Sequence, residues 1–257
     1  MWLIEIKMKN WQNLNNPPVV VALFQLKFNS VGIKLNDFLK YDTILKHNFP
    51  IRKDNIQVGI DLGSTSIPLG VSKITGTSDA KIGSYLYCTV DQKVKLEISE
   101  GTVTYIDERP YQGWENFKAS TLKAISSLAE ILNNTEVSRT SIRFINRFSF
   151  DNFDNPQDYF KTLISSSEDN QLPYPILQYG FRLIMDIPET DIYSIVNQNV
   201  ENERANSFIY TFDIDVLDRQ QLVFNQETLA ENIESLREVK NEIFFGNVTQ
   251  KTLDLCN

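Results

Sequence analysis

Alternation of apolar with polar residues, renewed in run after run, is the feature that most constrains what this chain can fold into. The stretches VVVALFQLKFN, NIQVGIDL, GSYLYCTVD, KVKLEISE, TVTYID, TSIRFINRFSF, LQYGFRLIMDI, DIYSIVNQNV and NSFIYTFDIDVL are rich in β-branched and aromatic residues and are bounded by Gly, Pro, Asn and polar turns. A period of two sends successive side chains to opposite faces, so each run reads as a strand. The runs between about residues 55 and 107 follow one another closely enough to form an antiparallel meander.

Four stretches depart from that period. Asn36 is placed to cap DFLKYDTILKH, with Phe38, Leu39, Ile44 and Leu45 on its buried side and Phe49-Pro50 as its stop. Tyr111-Gln-Gly-Trp114 opens a long helix in which Trp114, Phe117, Leu122, Ile125, Leu128 and Leu132 recur near helical spacing before Asn133-Asn134. DNPQDYFKTLIS is helix-like, and a last long helix capped near Asn225 carries Leu229, Ile233, Leu236 and Ile243, with Gly246 as a stop. The expectation is an α+β protein of two related halves, each an antiparallel sheet with helices on one face. Residues 1–150 read β-α-β(4)-α-β and residues 151–257 read α-β(3)-α, the boundary falling in the acidic FDNFDNP segment near 150–156. The likeness between halves is architectural, without a residue-level repeat.

Charge divides at the same place. Residues 1–150 hold 18 Lys and Arg against 14 Asp and Glu, net +4, whereas residues 151–257 hold 7 against 19, net −12, together the −8 of the chain. A mildly basic half and a strongly acidic half argue against general coating of nucleic acid, which needs many cations facing phosphates, and leave room for a local basic surface.

Several classes of protein are excluded by what the 257 residues contain. No apolar run approaches the roughly 18 residues that span a bilayer, and Glu5, Lys7 and Lys9 interrupt what would have to be a signal region, so a cytoplasmic protein with no membrane contact is expected. Cys88 and Cys256 stand far apart with no CxxC partner, which supports neither a disulfide framework nor a thiolate zinc site. The single histidine, His47, falls where the first helix should end, a favourable place for a cation beside the helix dipole.

The stretch IQVGIDLGSTS, residues 56–66, resembles the first phosphate loop of the actin-like and heat-shock ATPases. Those enzymes also need a second, Asp-x-Gly-Gly loop and a Gly-Gly adenosine turn, and this chain has ten glycines but no Gly-Gly. The stretch therefore reads as a strand, with Val58, Ile60 and Leu62 on one face and Gly63-Ser64-Thr65-Ser66 as its turn.

Three constellations can carry binding chemistry. In strand 141–149, Ile142, Phe144, Asn146 and Phe148 share one face and Arg143, Ile145 and Arg147 the other. Two arginines about 7 Å apart can clamp a phosphate, a carboxylate or an acidic partner strand, or pair internally with the acidic half. Asn146, among apolar neighbours, reads as an anchor to backbone. In FIYTFDIDV, Asp213 and Asp215 point outward together, as a solvated face, as docking partners for Arg143 and Arg147, or as a divalent-metal pair that lacks further ligands. Trp114 with Tyr111 can stack a base or ligand, or serve as a hydrophobic staple at a helix start.

The order of several motifs carries a resemblance across nearly the whole chain. An Asn-Pro-Pro before an apolar strand, Phe-Pro after the first helix, Tyr111-x-Gly113-Trp114-Glu115, Arg143-Phe144-Ile145-Asn146-Arg147, FDIDV and the terminal LREVKNEIFFGNVT together resemble a sporadically distributed family of prokaryotic proteins with no assigned activity. The resemblance implies a patchy occurrence of the kind seen for mobile or defence-associated genes and assigns no chemistry to any residue. The expected function is a non-catalytic protein-interaction subunit, an accessory component of a prokaryotic antiviral defence complex that handles nucleic acid. Its partner would be another protein encoded nearby, with nucleic acid met only inside the complex, no cofactor and no metal, and with Arg143, Arg147, Trp114 and Tyr111 as the contacting residues. The alternative is a small-ligand-binding protein with an aromatic-lined cavity between sheet and long helix.

Overall fold

A computed structural model describes residues 11–60, 78–150, 156–162, 178–204 and 207–257. The alternating runs become strands β1 (Val19–Phe28), β2 (Ile51–Ile60), β3 (Ser78–Cys88), β4 (Val94–Ser99), β5 (Thr102–Asp107), β6 (Glu136–Phe150), β7 (Gln178–Asp186), β8 (Ile192–Arg204), β9 (Ser207–Asp218) and β10 (Leu222–Val223). The helical stretches become α1 (Asp42–Asn48), α2 (Trp114–Ser126), α3 (Ala129–Leu132), α4 (Gln226–Asn247) and α5 (Gln250–Leu255), with 3₁₀ turns at Leu35–Tyr41 and Pro156–Asp158.

All ten strands pair antiparallel in one sheet of order β2-β3-β4-β5-β1-β6-β9-β8-β7, with β10 beside β6. The protein is thus α+β, with helices packed on a single sheet. That sheet runs without a break from the basic half into the acidic half, because β6 pairs with β9 along their length, Arg143 opposite Asp215 and Phe148 opposite Tyr210. One register row crosses nine strands on the helix-bearing face: Arg52, Tyr87, Leu96, Tyr105, Phe24, Ile142, Val216, Ser194 and Met185. Tyr87, Leu96, Phe24, Ile142, Val216 and Ser194 in that row are fully buried, so the row is the floor of the core. Phe117 of α2 packs edge-on against Phe144 of β6, and Phe244 of α4 lies over Phe212 of β9.

Polar ties hold the helices to this floor. The hydroxyl of Tyr85 donates to Asn36 Oδ1 at 2.6 Å and that of Tyr87 to Asp42 Oδ1 at 3.1 Å, fastening the 3₁₀ turn and α1 over β3. Thr140 of β6 bonds Asn232 of α4, whose amide in turn donates to Asp218 of β9. All three are buried, and each meets its hydrogen-bonding need only if α4 sits in this register.

The structure departs from the sequence expectation at three helices. Asn36 is not a cap: its side chain is taken by Tyr85, while Asp37 reaches back to the Lys34 N–H at 2.9 Å, so the segment opens as a 3₁₀ turn. The expected single helix from Trp114 to Leu132 breaks after Ser126, where the hydroxyls of Ser126 and Ser127 bond back to the carbonyls of Leu122 and Lys123 and compete with the helix. Over the described residues 156–162, DNPQDYFKTLIS forms a 3₁₀ turn and an isolated bridge between Phe160 and Val248 in place of a helix. The cause is tertiary: Phe160 is fully buried and stacks on Tyr210, and the flanking backbone bonds Asn247 and Thr249. Of IQVGIDLGSTS, Ile56–Ile60 completes β2 and residues 61–66 lie outside the described residues, as do residues 151–155 of the expected boundary. His47 is exposed in the last turn of α1, and Cys88 and Cys256 are buried free thiols. Among the described residues no helix is long and apolar enough to cross a membrane.

Candidate ligand cavity between the sheet and the long helix

Most of the terminal pattern LREVKNEIFFGNVT lies on α4, where the period of 3.6 residues per turn brings Arg237, Lys240, Asn241 and Phe244 to one face. That face looks onto β6, where alternation has turned Asn146 toward the helices. A third wall is the chain before α2. Gly113 caps that helix with φ +95°, a left-handed conformation that disfavours any side chain, and so lets Tyr111 and Trp114 turn inward on either side of it. The fourth wall is the polar lead-in 11–19, held down where the Asn16 N–H donates to Cys256 O and the Arg147 N–H donates to Pro18 O.

These four segments, far apart in sequence, line a half-open cavity of about 720 Å³. Its lining combines aromatic rings and two cations with several side-chain amides. Trp11 stacks on Phe245 with ring centres 5.2 Å apart and donates its indole N–H to Glu238 at 2.8 Å. Trp114, buried, donates to Glu234 Oε1 at 2.9 Å and carries the Arg237 guanidinium over its ring at 5.1 Å. Glu234 also receives Lys118 at 2.6 Å and Arg237 at 3.3 Å. Burial opposes its charge, but the donations from Lys118 and Trp114 prevail and hold its carboxyl below the usual range.

Lys240 is the most perturbed base of the cavity. Its ammonium lies 4.6 Å from the centre of the Phe144 ring and donates to Asn241 Oδ1, and among the described residues it makes no salt bridge. Burial, then the neighbouring Arg237 charge, pull its pKa down to about 7, against the attraction of Glu238. Burial also raises the Tyr111 phenol, keeping it neutral. Asn146 donates to Phe212 O at 2.9 Å, the backbone anchor expected of it, while its side chain remains at the cavity wall. The chemistry on offer is that of binding: two cations, one carboxylate, six side-chain amides and flat aromatic faces.

The four side chains singled out from the sequence do not form one site. Tyr111 and Trp114 meet at this cavity, whereas Arg143 and Arg147 project from the opposite face of the sheet. Arg143 holds Asp213 in a two-pronged ion pair, Nε to Oδ1 at 2.8 Å and Nη2 to Oδ2 at 2.7 Å, and Asn197 adds a third donor at 3.0 Å. Asp213 is accordingly 5% exposed and is no solvated charge. Hydrogen bonding to Asp213 raises the Arg143 pKa further. Arg147 is exposed on that same face. Asp215, directly opposite Arg143, has an Oδ1 atom without a hydrogen bond, and burial pushes its pKa up to about 6 despite the pull of Arg143 and with the help of the Asp213 charge. Among the described residues no three His, Cys, Asp or Glu side chains gather as metal ligands would.

Arg237, Lys240 and Asn241 went unassigned from sequence although a signal was present. Their spacing of i, i+3 and i+4 beside Phe244 marks a helix face, but one that mixes cations with an aromatic and so does not register as an apolar stripe. No family model, no curated protein and no solved structure matches the chain.

Proposed function

We propose that this protein binds a small organic ligand in the cavity between the sheet and α4. The observation that carries the reading is convergence: Tyr111 and Trp114 from the start of α2, Asn146 from β6, and Arg237, Lys240 and Asn241 from α4 meet around one space of about 720 Å³, a volume typical of ligand sites. On this reading the two halves are related partners, each bringing antiparallel strands and a long helix, with the ligand held where α2 of one half approaches α4 of the other. The protein binds its ligand without transforming it and acts in the cytoplasm. Native mass spectrometry of the protein purified from its source is the test. A retained small molecule that is lost when Asn241→Trp fills the cavity supports the reading. A wild-type protein that carries nothing, and whose melting temperature no compound of a broad library raises, overturns it.

A second reading keeps the protein as an accessory interaction subunit of a nucleic-acid-handling defence complex. The observation in its favour is the face of the sheet opposite the helices, where Leu23, Arg143, Asp215, Ile195 and Ile184 form a row across five strands and Ile184 is 68% exposed. With Arg143 engaged by Asp213, such a partner would meet the paired charges and Arg147 together. Co-purification with a protein encoded nearby, weakening steeply as salt rises, supports it; a lone monomer at every ionic strength counts against it.

A further inference from the structure

We infer that the ligand of this cavity carries an anionic group, a carboxylate or a phosphate, seated against Lys240 and Arg237 with a flat apolar body beside Trp114. The inference rests on the ligand-binding reading and adds the chemical class.

The argument is one of unbalanced charge. On this side of the cavity Glu234 already serves Lys118, Arg237 and the indole of Trp114, and Glu238 serves the indole of Trp11. Lys240 then stands without a carboxylate partner among the described residues, its amine resting on an aromatic ring and one amide oxygen. A half-buried ammonium in that position, drawn away from bulk water, favours shedding its proton or acquiring a counter-charge. Its depressed pKa, about 7, is the first response; an anion delivered by a ligand is the second. Among the described residues, Arg237 and Glu238 of α4 act on the Lys240 charge, and Tyr111 and an exposed Glu115 at the start of α2 line the same cavity. The β6 wall contributes Phe144 and Asn146, which do not titrate, and the Glu238 carboxylate is turned to the indole of Trp11. An aromatic body fits because Trp114 already accepts one flat cation on its ring and because Trp11, Phe244 and Phe245 add aromatic faces to the same cavity.

Binding an anion raises the Lys240 pKa, so binding takes up a proton, and affinity falls as pH climbs above about 7. Titration calorimetry of the full chain with 2-naphthoate, 1-naphthyl phosphate and the neutral 2-naphthamide tests this directly. Near pH 6 at least one acid is expected to bind about tenfold or more tighter than the amide, the worth of one charge-assisted contact. Which acid binds tighter separates carboxylate from phosphate recognition. Lys240→Met should erase the preference for the acid and leave amide binding in place. Lys240→Arg, whose charge does not titrate, should keep the preference up to about pH 8.5, where the wild type loses it. If acid and amide bind wild type equally, the anion is refuted while the cavity remains a ligand site. If none of the three binds, the flat aromatic anion is refuted, and the ligand-site reading is decided by the retained-molecule and library measurements above.

Discussion

At the scale of single residues, the charged side chains on the face away from the helices set the sheet's response to pH and to mutation. Arg143 and Asp213 are held in a two-pronged contact in which the carboxylate is 5% exposed, and removing one partner strands the other. Arg143→Gln is expected to cost about 2 kcal/mol in urea denaturation, less than a fully buried pair because the arginine side chain is 41% exposed, and Asp213→Asn in the same chain should recover part of it. Asp215 behaves in the opposite sense. Its folded pKa of about 6 lies above its unfolded value, so the folded state binds the extra proton and stability declines as pH rises from about 4 through 6. Asp215→Asn should therefore stabilise the protein by about 1–2 kcal/mol at neutral pH and by little near pH 4. Equal effects at both pH values would refute the assignment.

At the scale of elements, the helix starts decide whether the cavity walls form. Asn225 caps α4 in extended backbone, its Oδ1 accepting the Glu227 N–H at 2.8 Å, and Asn225→Ala is expected to cost about 1 kcal/mol. Gly113 is a different case, because a Cβ there would meet no atom within 4 Å while its φ of +95° would still be strained. Gly113→Ala should cost about 1–2 kcal/mol and, unlike the Asn225 change, should disturb the environment of Trp114, read as a shift in its fluorescence. The Asn225 cap and the helix opening at Tyr111-Gln-Gly-Trp114 were legible in the sequence, since Asn before an amphipathic run and Gly before Trp are local signals. Two of the three misplaced helices failed where distant groups intervene: Tyr85 removes Asn36 from capping, and the pocket around Phe160 draws 156–162 out of helical form.

At the scale of the molecule, the continuous sheet ties the halves together. β6 leans on β1 from the first half and β9 from the second, and α4 of the second half lies over both β6 and β9. Residues 1–150 expressed alone would expose the β9-facing edge of β6 together with Phe144 and Phe148, apolar side chains that α4 and Phe160 otherwise bury. They are expected to aggregate or remain unfolded by circular dichroism. The intact chain should melt in one transition by fluorescence and by circular dichroism together, and two separated transitions would show that the halves fold independently.

Local chemistry by itself determined the strands, the α+β class, the aromatic helix opening at Trp114 and the inward turn of Asn146, because side-chain period and capping act over a few residues. It also exposed the polarity of charge between the halves. Only the tertiary structure decided that nine strands and the short β10 share one sheet, since pairing β6 with β9 joins residues some 70 positions apart, as Arg143 and Asp213 are. It decided likewise that Arg143 is engaged internally and that Lys240, an ordinary helix lysine in sequence, lies in a cavity beside an aromatic ring with its charge unbalanced. Burial and counter-charge are properties of what surrounds a residue in space, and no stretch of sequence around Lys240 contains the four chain segments that create them.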